Sequence, residues 1–142
     1  MRFFIDCEWN SYKGDLISIA LVAEDNREFY EVLKCDNPEP WVAENVIPKL
    51  GKDPVHLQEL QLRLQMFLFQ YDTVHVVSDW PEDTAWFCTM LITGPGKRMN
   101  TPPLTFEILR VDSKSANPHC ALDDARGLHD SVSKTEANLN VV

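Results

Sequence analysis

Three short apolar runs open the chain, at residues 2–8, 15–23 and 27–33, with polar turns between them at 10–14 and 24–26. Runs of this length bounded by turn formers predict strands, and connections this short favour antiparallel neighbours. The first third therefore reads as a three-strand meander. Residues 37–50 carry Pro38 and Pro40 at one end and Pro48 near the other, which predicts a short helix between breakers. Leu57, Leu60, Leu64, Phe67 and Leu68 then recur at helical spacing between Pro54 and residue 70, predicting one long amphipathic helix. Beyond it the pattern predicts a buried strand at 73–77, a helix at 81–92 and a loop at 93–103. A strand at 104–109, a loop at 112–118 and a helix at 119–131 complete the series. Three strands followed by alternating helices and strands predict an α/β fold with a mixed sheet. Residues from Ser133 onward are polar and lose the periodicity, so the expected layout is one domain at 1–132 and a flexible tail at 133–142.

Composition adds exclusions. With 142 residues, 44% hydrophobic and 25% charged, the chain can build one sizeable core and no second. A net charge of −9 argues against a protein that grips nucleic acid by a broad basic surface, but not against an enzyme whose acids hold cations. Cys7, Cys35, Cys88 and Cys120 are far apart without a C-x-x-C pair, and read as reduced thiols of a cytoplasmic protein, not a zinc site or a disulfide frame. The sequence shows no signal-peptide pattern and no apolar run long enough to span a membrane.

The acids carry the chemistry. Asp6 and Glu8 stand on alternate positions of the first strand, hence on one face. Two anions so close repel unless a proton, hydrogen bonds or a cation relieves them. Asp79 and Asp83 fall where a strand gives way to a helix, and Asp123 and Asp124 one turn into the last helix, after His119. Taken singly, each of these pairs suits helix capping. Taken together they suit two divalent cations stabilising the attacking and leaving oxygens of a phosphoryl displacement. Carboxylate oxygens select hard ions such as Mg²⁺ or Mn²⁺. His119 is the right type of group to take a proton from the attacking water.

D-x-E in the first strand, a later Asp, and H-x-x-x-x-D near the C-terminus resemble the DEDDh branch of 3′–5′ exonucleases. Here these are Asp6 and Glu8, Asp83, then His119 and Asp124. The resemblance extends over residues 1–130. The stretches "DLISIALVAEDNREFYEV" and "WVAENVIPKL" are similar to the small bacterial and phage exoribonucleases of the RNase AS type, which trim adenylate-rich 3′ ends. It implies a ribonuclease H-like fold, a central mixed sheet whose first three strands form an antiparallel meander. It further implies a metal-dependent exoribonuclease that removes nucleoside 5′-monophosphates from single-stranded RNA 3′ ends. The implied roles give Asp6, Glu8, Asp83 and Asp124 to two Mg²⁺ or Mn²⁺ ions and proton transfer to His119. A homo-oligomer, a dimer, belongs to the same implication. The family's second motif is often an Asn followed, four positions on, by the Asp. "DWPED" matches that spacing with Asp79 in the Asn position, which makes Asp83 the carboxylate and Asp79 a substrate-side neighbour.

Asp123, about 100° around the helix from Asp124, is expected to be a solvated or capping acid. Trp9, directly after Glu8, is either a core aromatic or a platform on which the terminal base stacks. Lys97, Arg98, Arg110 and Lys114 make the one locally basic region, either solvated or touching the substrate backbone. His75 and His129 have no companions at ligand spacing and read as structural. Three alternatives stand beside the exoribonuclease. They are an exonuclease on single-stranded DNA, a binding module that kept the fold and lost catalysis, and an acidic interaction domain without a nucleic-acid role.

Overall fold

The computed structural model describes residues 1–140; positions 141 and 142 of the expected tail lie outside the described residues. The chain runs β1 (Arg2–Trp9), β2 (Leu16–Ala23), β3 (Glu28–Val32), α1 (Pro40–Asn45), a 3-10 turn (Ile47–Lys49), α2 (Leu57–Leu68) and β4 (Val74–Ser78). It continues with α3 (Pro81–Met90), β5 (Ile92–Gly94), β6 (Lys97–Arg98), β7 (Leu104–Ile108) and α4 (Ala121–Leu139). Five strands form one mixed sheet in the order β3-β2-β1-β4-β7. β1, β2 and β3 are antiparallel neighbours, as the meander pattern predicts, whereas β4 lies parallel to β1 and β7 parallel to β4. The α/β class and the mixed sheet read from the sequence are therefore present.

Helices cover both faces of this sheet. β2 is consequently buried at every position, which is why its sequence is an unbroken apolar run without alternation. Successive β1 residues separate the two layers. Phe3, Ile5 and Cys7 pack with Leu60, Leu64 and Leu68 of α2 and Phe87 of α3. Phe4 packs on the other face with Leu128 and Val132 of α4. Ala20 and Val22 meet Ala121 and Ala125 there, small residues that let α4 lie close to β2. The two acids of β1 share the parity of Phe4, so they sit on the α4 face.

Two elements differ from the pattern. The β5–β6 hairpin, turned at Gly96 with φ +66°, takes up the last residue of the helix read at 81–92 and the first part of the loop read at 93–103. The helix read at 119–131 begins at Ala121 and continues through Leu139, so residues 133–139 are helical where a loose tail was expected. Tertiary contacts rather than an apolar stripe account for this extension. Val132 is buried, and Arg2 makes a two-pronged ion pair with Glu136, with Nη2 to Oε2 at 2.7 Å, while also bonding Glu24. Lys134, Glu136, Ala137 and Leu139 favour helix intrinsically but carry no periodicity to read. Among the described residues no helix is long and apolar enough to cross a membrane.

Candidate metal centre

Parallel neighbours β1 and β4 end on the same side of the sheet, the side where open α/β sheets gather ligands. Asp6 and Glu8 lie near the end of β1 and Asp79 directly follows β4. Asp83 is in the first turn of α3, and Asp124 in the first turn of α4. The fold thus converges five acids from three stretches that are remote in sequence: β1, the β4–α3 junction and the start of α4.

They form two groups that share one member. Carboxylate oxygens of Asp6, Glu8 and Asp124 lie within 4.8 Å of one another, and so do those of Asp6, Asp79 and Asp83. Asp83, only 2% exposed, is fixed by the main chain of β1, because its Oδ1 accepts the Cys7 N–H at 3.0 Å. The β1–β4 ladder runs only from Arg2 to Phe4, so that amide needs another acceptor, and the α3 carboxylate supplies it. Asp124 Oδ2 accepts the His119 N–H at 3.1 Å. His119 stands before α4 with φ +70°, a left-handed turn that the carboxylate bond stabilises. Its ring packs edge-on against Trp41, centroids 4.9 Å apart.

Asp6, Glu8, Asp83 and Asp124 are held in surroundings that disfavour their charge. Burial first, then the charges of Asp83, Glu8, Asp124 and Asp79, pushes Asp6 well above the usual carboxylate range. Burial and neighbouring Asp124 raise Glu8 to about 8, with Lys49 opposing. Burial also raises Asp83 to about 8, against the Cys7 amide and with the repulsion of Asp79. Asp124 moves up through burial, opposed by Ser115 and the His119 backbone. One oxygen, Asp6 Oδ2, is buried and accepts no hydrogen bond among the described residues. Neither helix start uses these acids as caps, since the residues preceding α3 and α4, Trp80 and Cys120, make no side-chain cap bond.

All five residues expected to carry the chemistry, Asp6, Glu8, Asp83, His119 and Asp124, are brought together, and Asp79 with them. Trp9 is not. It follows an irregularity between Glu8 and Trp9 and packs against the α2–α3 core, on the face opposite Glu8. Asp123 points away to pair with Arg126 at 3.2 Å. Sequence reasoning missed several neighbours. Trp41 contacts His119, Lys49 Nζ bonds Pro118 O at 2.6 Å, and Ser113 Oγ donates to Asp79 Oδ2 at 3.0 Å. None has a spacing signal, although Trp41 lies in the very stretch that carries the resemblance. A cavity of 250 Å³ opens among Asp6, Asp79, Ser113, Ser115, Pro118 and Asp124.

Gly127 seats the loop that closes this cavity. A Cβ there would lie 2.3 Å from Lys114 O and 2.9 Å from Lys114 C, both backbone atoms. Gly127→Ala gains about 1 kcal/mol of helix propensity, but overpacking of this kind costs about 1–3 kcal/mol. The expected net result is a lower melting temperature together with a displaced 113–115 loop. A melting temperature at or above wild type would show that the loop lifts off α4 without cost.

No family model matches this chain. Two curated proteins of Mycobacterium tuberculosis, one from each of two strains and each named a 3′–5′ exoribonuclease, are 40% identical to it over 77 residues. The similarity covers 48% of this chain and 46% of each relative. The chain spans about half the length of the curated relatives it matches.

Proposed function

We propose that this chain is a metal-dependent 3′–5′ exoribonuclease of the DEDDh type, with a ribonuclease H-like fold. Its products would be nucleoside 5′-monophosphates from single-stranded 3′ ends. The observation that carries this reading is the convergence of Asp6, Glu8, Asp83 and Asp124, with His119 alongside, at the ends of β1 and β4. The sheet order β3-β2-β1-β4-β7 and the similarity to two proteins named for this activity support it.

The residues fit a pair of hard divalent cations. The donors are all carboxylate oxygens, one of them buried without a partner, and the clustered charges are relieved by a cation or a proton. Glu8 and Asp124 with Asp6 would hold one Mg²⁺ or Mn²⁺, and Asp83 with Asp6 the other. The chemistry such ions supply when bound is neutralisation of charge on the scissile phosphate and its entering and leaving oxygens. The chain's own groups position the rest. The Cys7 amide fixes Asp83, the His119 amide ties the turn to Asp124, and Trp41 packs on the imidazole that takes the proton of the attacking water. Preference for adenylate ends rests on the resemblance, since Trp9 lies on the other face.

Single-stranded RNA and DNA labelled at the 5′ end, incubated with Mg²⁺ or Mn²⁺, test this reading. The expected outcome is an RNA ladder shortened stepwise from the 3′ end, blocked by a 3′-phosphate and untouched by a 5′-phosphate. Full activity in excess chelator, or shortening from the 5′ end, would sink it. Faster cleavage of DNA would transfer the same mechanism to the other nucleic acid.

A further inference from the structure

We infer that Asp79 is a fifth metal-holding carboxylate, completing with Asp6 and Asp83 the second cation site, where the resembling family's motif often places an Asn. The inference rests on the two-cation reading of the site and extends it to a residue outside the four-acid set. Capping does not explain Asp79. The residue preceding α3 is Trp80, and α3 has no side-chain cap. Ion pairing does not explain it either. Among the described residues, none of the five acids is paired with Lys, Arg or His. Among the described residues its side chain has one hydrogen bond, from Ser113 Oγ to Oδ2, which orients the carboxylate and satisfies one oxygen.

Geometry and ligand chemistry supply the positive argument. Asp79 offers an oxygen within 4.8 Å of oxygens on both Asp6 and Asp83. Asp6, the member shared by both groups, presents the buried, unpartnered Oδ2. Without Asp79 the second group has two carboxylates against three in the first. With it the two groups match, and affinity for hard cations rises with the number of charged oxygen ligands. The second ion is thereby held by the protein itself before any substrate phosphate arrives. Ser113 makes this dependent on the 113–115 loop, which Gly127 seats against α4.

Mn²⁺ titration of the substrate-free protein, followed by the electron paramagnetic resonance of free Mn²⁺, tests this. Wild type should bind two ions per chain. Asp79→Asn, nearly isosteric and still able to accept from Ser113, should keep one ion at unchanged affinity. It should bind the second more weakly by at least the roughly 10–100-fold that losing a supporting group typically costs. Raising Mn²⁺ should restore hydrolysis by Asp79→Asn and not by Asp83→Ala. Two ions at wild-type affinity in a folded Asp79→Asn, or a single ion in wild type, would overturn the assignment while leaving the exonuclease reading in place. A wild-type protein that binds no Mn²⁺ would overturn that reading itself.

Discussion

Asp6→Ala and Asp124→Ala should each lower hydrolysis of single-stranded RNA by at least about 10²–10³-fold, the scale for deleting one preorganised charge contact to a transition state. Asp6 belongs to both acid groups, so its loss removes a ligand from each at once. Asp124 belongs to one group but also accepts the His119 N–H, so alanine there unties the turn that carries the imidazole. Asp124→Asn separates the two effects. It retains an oxygen for the amide and removes the charge, so a near-equal loss in Asn and Ala assigns the effect to the charge. Circular dichroism of each variant checks that the sheet survives. Wild-type rates in either alanine variant would remove the basis of the two-cation reading.

Metal-free protein should lose stability as pH rises from about 4 to about 8, and a divalent cation should restore it. Glu8 and Asp83 have ordinary values of 4.5 and 3.8 and are pushed up to about 8 in the fold. Between those limits the folded state binds more protons than the unfolded chain. The stability they contribute is thus complete below the ordinary carboxylate pKa and is lost as pH climbs through 8. Because the two share neighbours and Glu8 retains some solvent, the loss is on the order of a few kcal/mol. That corresponds to a fall in melting temperature of roughly 5–15 °C. Thermal unfolding in chelator at pH 5 and pH 8, then at pH 8 with Mn²⁺, reads it directly. Asp6→Asn should raise the metal-free melting temperature at pH 8, because it relieves repulsion and breaks no hydrogen bond to Oδ2. A clear drop instead would tie Asp6 into a structural network and weaken the case for metal.

The meander, the strands β4 and β7 and the acids were legible because each has a local signature, whereas the parallel pairing of β1, β4 and β7 is tertiary. Short apolar runs, breaker prolines and D-x-E spacing need no tertiary information. What was not legible depends on partners remote in the chain. Residues 133–139 are helical because Arg2 reaches Glu136 and Val132 is buried, and neither contact shows in their own pattern. The β5–β6 hairpin is too short for a period to register. Trp9 adjoins Glu8 in sequence, yet strand alternation and the irregularity after Glu8 turn it to the other layer. Trp41 and Lys49 reach the site only because the α1 segment folds over it, which no spacing rule anticipates.

The bond from the Cys7 N–H to Asp83 makes part of the site immune to ordinary mutational drift. Its donor is main chain, present whatever side chain occupies position 7. Substitutions there can alter packing between the sheet and its helices without removing the bond that holds the α3 carboxylate against β1. Proline alone deletes it. A saturation library at position 7 should therefore divide in two: activity tracking residual folding for nineteen residues, and a separate, disproportionate loss for proline.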